Sequence, residues 1–553
     1  MNRIAEVLEH IDEIKLRGGY YTPKEITWFI CKWAITNSKQ KILEPSCGDG
    51  NFIEACLDRF KELGIPKNKY YNLIKGIEII PKEAEKAKAR AAKFGLNSDS
   101  IVNIDFFEYL SSNGKSSFDV VVGNPPFIRY QNFPEEHRIR AIQMMNALGL
   151  KPNKLTNIWV PFLVISSTLL SKIGKLGMVI PAELFQVKYA AETRIFLSNF
   201  FERITIVTFN KLVFTGIQQE VVLLLCEKSA PENKGIRMVE LSTLADLEGF
   251  DFKSIPNILV KPVDHTNEKW TKYFLEENEI RLLRELKNNK DIPRCGDVMK
   301  VDVGIVTGRN YFFMLNEKQV EEKELKPYTH KVISKSNHLK GIIFTENDFQ
   351  INSKAGYPIY LFTPPDNDLK DLPKVCHNYI KFGEAQKFHT GYKCKIRKRW
   401  YITPSLWVPD AFVLRQVSDY PKLILNSANA SSTDTIHRVK FKNKIDPKLI
   451  ALSFLNSLTF AFSEITGRSY GGGVLTFEPS EIEELQLPIL NNERIDFKKV
   501  DQLIRERKIE DILDLTDKEL LGKQYGLTES KIKILRNIWR KLSKRRLNRT
   551  HNK

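Results

Sequence analysis

The sequence predicts an α/β domain over residues 1–228, built on a doubly wound, mostly parallel seven-stranded sheet, followed by a mixed α+β domain over residues 236–553. Three observations lead there. Short apolar runs without polar alternation recur through the first half, separated by stretches of helix length, as expected for strands covered on both faces by crossover helices. Three of these runs end in an acid, Glu44, Glu78 and Asp105, at the strand ends where an open sheet collects its ligands. A polar stretch, Ser229-Ala230-Pro231-Glu232-Asn233-Lys234-Gly235, follows the apolar run Val221 to Cys226 and marks the expected joint.

The elements follow in order. Ile4, Val7, Leu8, Ile11 and Ile14 recur at helical spacing, and Gly18-Gly19 ends that helix. Strands are expected at Lys41 to Leu43, Leu73 to Ile77, Ile101 to Ile104, Phe118 to Val122, Gly177 to Ile180, Ile204 to Phe209 and Val221 to Cys226. About a dozen residues separate the last two, too few for a long helix, so an antiparallel pair at one edge is expected. Near the C-terminus, Thr528 can cap a helix whose Leu535, Ile538, Trp539 and Leu542 share one face.

Composition narrows the class. With 85 Lys+Arg against 67 Asp+Glu, the chain carries a formal charge of +18, a field suited to a polyanion. Residues 1–230 hold +6 of it, and the last nineteen residues hold +8. Seven scattered cysteines without a CxxC pair suggest neither a disulfide framework nor a zinc knuckle, and no metal site is expected. No apolar run approaches the length of a membrane span or a secretory leader, so a cytoplasmic protein with no membrane partner is expected.

The strand ends carry the chemistry. The first runs into Glu44-Pro45-Ser46-Cys47-Gly48-Asp49-Gly50, where glycines permit a sharp turn and close backbone approach. The spacing is not that of a dinucleotide fingerprint, and the acid favours a cationic ligand group over a pyrophosphate. The second ends at Glu78-Ile79, a carboxylate able to accept from both hydroxyls of a ribose; the third ends at Asp105-Phe106, an acceptor for an adenine amino group beside an aromatic residue. The fourth enters Asn124-Pro125-Pro126-Phe127. Consecutive prolines stiffen this turn, so the Asn124 side-chain oxygen and the Pro125 carbonyl form a fixed acceptor pair for a conjugated exocyclic amine, with Phe127 available to stack on its ring. Together the four ends outline a nucleoside with a positively charged appendage next to an amine-activating loop.

At these residues the sequence resembles the class I S-adenosylmethionine-dependent DNA adenine-N6 methyltransferases, in the γ arrangement typified by the TaqI and BseCI enzymes. The resemblance is close over residues 19–228 and loose beyond. It implies that Tyr21, Thr22 and Pro23 close over the cofactor, that Glu44, Ser46, Cys47, Gly48 and Gly50 form its turn, and that Glu78 and Ile79 hold its ribose. It further implies Asp105 and Phe106 at the cofactor adenine, and Asn124, Pro125, Pro126 and Phe127 as the catalytic loop, with Asn124 and Pro126 also touching the cofactor. Gly177 to Pro181 looks like the fifth-strand motif, and Phe214 matches a second aromatic that packs on an extruded base. Only eighteen residues separate Asp105 from Asn124, so the additional mass must follow Phe214, which is the γ order.

The second half agrees with duplex DNA as the partner. Lys395, Arg397, Lys398 and Arg399 are interleaved with Tyr392, Trp400 and Tyr401, a pattern in which basic groups hold phosphates and aromatic ones pack on sugars and bases. Arg309, in a Gly304 to Asn310 segment, and Arg468 and Tyr470, in a glycine-rich loop, resemble recognition segments of the same family. The expected setting is a bacterial or archaeal restriction-modification system with a separate restriction endonuclease. Pro365-Asp366-Asn367-Asp368 echoes a nuclease signature, but its acids are adjacent in a turn rather than brought from two strands. DNA cytosine-N4 and RNA adenine-N6 are alternative acceptors for the same loop.

Overall fold

The computed structural model describes residues 21–548, except 115, 116, 154, 212–219, 231, 233, 253, 255–257, 264, 267, 443, 470, 471 and 493. The expected helix over residues 4–14, Phe214 and Tyr470 lie outside the described residues. Those described fall into two units that divide between Glu276 and Glu277.

In the first unit, helix α1 (Lys24–Ala34) buries Ile26, Phe29, Ile30 and Ala34. Four short strands, β1 (Ile42–Glu44), β2 (Ile74–Glu78), β3 (Ile101–Asn103) and β4 (Phe118–Gly123), each pair in parallel with a neighbour. Between them run α2 (Asn51–Glu62), α3 (Pro81–Ala92) and α4 (Phe106–Asn113). Then come α5 (Glu135–Ala147), the almost wholly buried α6 (Trp159–Thr168), β5 (Leu170–Pro181), α7 (Ala191–Phe200), β6 (Arg203–Phe209), β7 (Val221–Glu227) and β8 (Gly235–Leu241). The sheet order is β3-β2-β1-β4-β5-β7-β6-β8, with β7 antiparallel to both β5 and β6. Crossovers of opposite direction leave β1, which is why the carboxyl ends of β1 and β4 flank a topological switch point.

Two expectations are corrected here. The sheet has eight strands rather than seven, and the polar stretch at Ser229 to Gly235 is a connection within it rather than the boundary between units. Strand β8 pairs with β6 in parallel from Arg203↔Gly235 to Phe209↔Leu241, burying Ile236 and Val239. The antiparallel β6–β7 pair is therefore internal, and β8 takes the edge. The sequence GIRMVEL alternates only partly, and the turn chemistry ahead of it resembled that of a linker. Gly235 has φ 135°, and a Cβ there would lie 2.4 Å from the Lys261 carbonyl oxygen, so glycine is required for a close backbone approach.

The second unit is mixed α+β, as expected. A five-stranded sheet runs in the order Ile343–Phe344, Leu423–Asn426, Ala411–Leu414, Ile436–Phe441, Met299–Asp302; a four-stranded sheet contains Thr329–Ile333 and Tyr360–Phe362. No single helix among the described residues is long and apolar enough to cross a membrane; the apolar pair Pro447–Ser453 and Ser457–Thr466, bent by 71°, is largely buried in this unit. The C-terminal helix Glu529–Leu547 forms where its sequence places it. Thr528 Oγ1 accepts from the Lys531 amide, and Leu535, Ile538, Trp539 and Leu542 are buried, with Trp539 5.0 Å from Phe460.

Several of its basic residues are ion-paired rather than free to face a polyanion. Arg536 bonds Asp514 and Asp517, Arg540 pairs with Glu510, Lys541 with Glu279, and Arg546 is buried against Glu464. Arg546 Nη2 lies 2.7 Å from Glu464 Oε1, Nε lies 3.1 Å from Oε2, and Nη1 donates to the carbonyls of Ser418 and Gly473. Burial pushes the Glu464 carboxyl up and the guanidinium pulls it back. Removing one partner of such a pair strands the other, so Arg546→Met is expected to destabilise this unit by about 3–5 kcal/mol in urea denaturation. The Glu464→Leu/Arg546→Met double variant should recover most of that loss; a single variant as stable as the parent would contradict the assignment.

Candidate active site

Parallel registry sets four chemical groups side by side. Glu44 is opposite Gly76, Glu78 opposite Asn103, and Leu43 opposite Val121, so Asp105, Glu78, Glu44 and Asn124 stand in that order at the carboxyl ends of β3, β2, β1 and β4. All four were singled out from the sequence, and the fold brings them to one edge.

The turn after β1 is shaped by its glycines. Gly48 and Gly50 have φ 52° and 90°, left-handed values that few other residues adopt, and Gly50 sits against Ala87 of α3, where a Cβ would meet the Ala87 Cα at 3.0 Å. A Cβ on Gly48 would meet nothing within 4 Å, so that side of the turn faces open space. The Cys47 amide donates to the Ile77 carbonyl at 2.8 Å, tying the turn to β2. Cys47 itself is buried, and burial raises its thiol well above the ordinary range, which makes it a packing residue rather than a nucleophile.

Glu44 is buried, and among the described residues nothing hydrogen-bonds its Oε2. Burial, reinforced by Cys56, Glu78 and Asp49 nearby, pushes its carboxyl well above the usual carboxylate range. The buried Ser46 hydroxyl likewise has no hydrogen-bond partner among the described residues. Glu78 Oε2 accepts from the Gly48 amide and Oε1 from the Ile80 amide, each at 2.8 Å, which aims the carboxylate while leaving each oxygen a further lone pair. Its carboxyl is also raised, again chiefly by burial. Ile79, beside it, is exposed.

Asp105 caps α4: its Oδ1 accepts from the Glu108 amide at 2.9 Å, and burial raises its carboxyl. His137, which the sequence did not mark, lies 3.5 Å from the same oxygen. Phe106 differs from expectation. Its ring is buried and stacked on Phe162 at 5.3 Å, so no aromatic face is presented next to Asp105; the ring anchors the start of α4 instead.

Thr22 joins the two halves of the site. Its hydroxyl accepts from Asn124 Nδ2 at 3.1 Å, and its carbonyl accepts from Asn51 Nδ2 at 3.1 Å. The first bond holds the Asn124 side chain in place; the second ties the segment to the glycine turn. Pro23 caps α1, and Tyr21, partly exposed, bonds Glu83 at 3.2 Å and receives a bond from Lys86. Pro125 is buried, Pro126 and Phe127 are half-buried, and Phe127 packs against the unit's apolar core. Sequence reasoning missed Arg90, which bonds Asp49 at 2.6 Å, Asn51 at 2.5 Å and Glu54 at 2.7 Å, and so clamps the turn from α3. Its only sequence signal is its place on a helix whose Ala84, Ala87 and Ala91 face inward.

The residues singled out in the second unit meet different fates. Arg309 and the 391–395 segment come together: a Cβ on Gly391 would lie 2.8 Å from Arg309 Nε, and one on Gly308 would lie 2.8 Å from the Lys393 Cβ. Lys395 and Lys398 are exposed. Arg397 is turned inward, donating to the Val306 carbonyl at 2.6 Å. Arg399 is held by Asp366 at 2.6 Å and Asp368 at 2.9 Å, so the nuclease-like turn serves as an arginine clamp. Arg468 is paired with Glu481 at 2.9 Å.

Known proteins resemble this chain over most of its length. Residues 7–292 match the N-6 DNA Methylase family model, and residues 267–521 match the C-terminal domain of the type II methyltransferase M.Eco57I. The chain is similar to the type II methyltransferase M.AccI of Acinetobacter calcoaceticus, 25% identical over 93% of this chain and 94% of that protein. It is also similar to M.HindII of Haemophilus influenzae, 22% identical over 92% and 95%. Among solved structures, the type IIL restriction-modification enzyme MmeI in complex with DNA shares the fold at TM-score 0.58 and 12% identity, covering 98% of this chain and 76% of that one. The glycine turn, the acid-tipped parallel strands and the Asn-Pro-Pro-Phe loop thus sit on a sheet and in a sequence that both point one way: the chain belongs to the N-6 DNA methylase family and is a type II DNA adenine-N6 methyltransferase of restriction-modification systems.

Proposed function

We propose that the methyl donor is S-adenosylmethionine, held at the carboxyl ends of β1 to β3, and that Asn124 to Phe127 act on an adenine flipped out of duplex DNA, in the TaqI-like γ arrangement. The observation that carries the reading is the buried Glu44 carboxylate, whose Oε2 has no hydrogen-bond partner among the described residues and beside which open space adjoins Gly48. A buried acid in that state suits a cationic ligand, and the cofactor carries both a sulfonium and an ammonium group. Bound there, it supplies an electrophilic methyl group.

The remaining roles belong to the chain. Glu44 and the Ser46–Gly50 turn hold the charged end, Glu78 accepts from the ribose hydroxyls with Ile79 packed over the sugar and base, and Asp105 accepts from the cofactor adenine. The Asn124 side-chain oxygen and the Pro125 carbonyl accept the two hydrogens of the target amine, drawing its lone pair out of conjugation; because both acceptors are fixed in advance, no strong base is needed. Phe127 stacks on the target ring, and Phe214 is assigned its second face. Thr22 is a positioning residue that orients Asn124. The second unit supplies target recognition, with Arg309, Lys395 and Lys398 at the phosphates. The protein works in the cytoplasm beside a separate restriction endonuclease.

Asn124→Ala is expected to lower kcat by about 10²–10³-fold with cofactor and DNA affinity unchanged, measured by labelled-methyl transfer and calorimetry. Retained turnover would remove Asn124 from the reaction. Cofactor affinity should also depend on pH with a defined sign. Because the free protein holds Glu44 protonated above the ordinary carboxylate range, binding a cation must ionise it and release a proton. Affinity should therefore fall as pH is lowered below the raised Glu44 value, by up to about tenfold per unit, and Glu44→Gln should bind weakly and flatten the profile. Proton-neutral binding in buffers of different ionisation enthalpy would count against Glu44 as the cation's partner.

A further inference from the structure

We propose that Tyr311, Tyr392 and Ile396 form one apolar edge that enters among the base edges of the target duplex and sets sequence discrimination, flanked by Arg309, Lys393, Lys395 and Lys398 on the backbone phosphates. The inference rests on the reading that the second unit recognises DNA, and goes further by assigning the discriminating side chains.

The three residues are 83%, 73% and 60% exposed, unusual for large apolar groups, and lie on two segments distant in sequence. The contacts at Gly308 with Lys393 and at Gly391 with Arg309 bring the segments together. Buried neighbours fix both backbones. Phe312, next to Tyr311, is stacked on Tyr379 at 4.8 Å and lies 4.8 Å from Trp400, while the Tyr379 hydroxyl donates to the Phe312 carbonyl at 2.7 Å. Cys394 is buried between the exposed Lys393 and Lys395. Tyr311 and Tyr392 thus stand on short helices, Asn310–Phe313 and Tyr392–Lys395, each with a buried anchor one or two residues further on, and Ile396 follows directly after the second. Order of this kind in exposed apolar groups fits a surface prepared for contact.

The charge around them selects the occupant. No Asp or Glu occurs from residue 385 to residue 409. Asp366 and Asp368 are engaged by Arg399, and Glu384 by Lys381 and Trp400. Cations ringing an apolar edge match a polyanion whose interior is apolar. In duplex DNA the phosphates fix position without carrying sequence, whereas apolar side chains can meet thymine methyl groups or wedge into a base step, at an energy that depends on the sequence deformed.

The test begins by mapping methylated adenines in DNA from cells expressing the parent protein, which yields the target sequence. Binding is then measured against salt for the cognate duplex and for duplexes with one base pair changed. The Tyr311→Ser/Tyr392→Ser/Ile396→Ser variant is expected to lose about tenfold or more of the cognate-to-mismatch ratio while keeping the parent's salt slope and unfolding temperature. The Lys393→Gln/Lys395→Gln/Lys398→Gln variant should lower that slope by about 0.9 per phosphate contact and keep the ratio. An apolar variant with the parent's ratio would overturn the proposal, whatever else the surface binds. A parent protein that neither binds duplex DNA nor modifies adenine would instead overturn the reading on which the proposal rests, a result the same experiment separates from the first.

Discussion

The site depends on one electrostatic constraint: carboxylates delivered to one edge of a parallel sheet and buried there without a side-chain cation bonded to the innermost of them. Glu44, Glu78 and Asp105 are each raised by burial; backbone amides donate to them, at Gly48 and Ile80 for Glu78 and at Glu108 for Asp105, and His137 lies 3.5 Å from Asp105. Backbone amides aim a carboxylate without cancelling its charge. Arg90, beside the turn, is occupied by Asp49, Asn51 and Glu54. The protein thereby rigidifies the turn and leaves Glu44 uncompensated, an arrangement that costs stability in the free protein and favours a positively charged ligand.

The loop proposed to activate the target amine inherits its order from the same place. Asn124 follows β4, whose pairing with β1 fixes where the Asn-Pro-Pro-Phe turn begins, and Thr22 connects that turn to the glycine turn through Asn51. Two prolines set the backbone, the Thr22 hydroxyl holds the Asn124 side chain, and little freedom remains. Activation of a conjugated amine by fixed acceptors requires such pre-organisation, since acceptors that had to reorganise would forfeit their advantage over water.

Much of this was legible in the sequence, because parallel strands buried on both faces write themselves as short apolar runs and their functional residues follow immediately. Strands β1 to β4 and the groups at their ends were placed within a residue or two. The misreadings have physical causes. Strand β8 sits at the sheet edge, alternates weakly and follows a proline- and glycine-bearing turn, so it looked like a linker. Phe106 was read as a face for a ligand, but the first turn of α4 points its ring at Phe162. In the second unit, clusters of Lys and Arg carried no information about their acids: Arg399, Arg468, Arg540 and Arg546 find partners far away in the chain, and only the fold separates these ion-paired groups from the exposed Lys395 and Lys398.

A structure of the protein bound to S-adenosylmethionine tests the central claim most directly. The account predicts a nucleoside lying across the carboxyl ends of β1, β2 and β3, with the Glu44 carboxylate within hydrogen-bonding reach of a cationic group of the cofactor and the Glu78 carboxylate on its ribose. A cofactor seated elsewhere, or seated there with Glu44 still unbonded or bridged by Arg90, would contradict it.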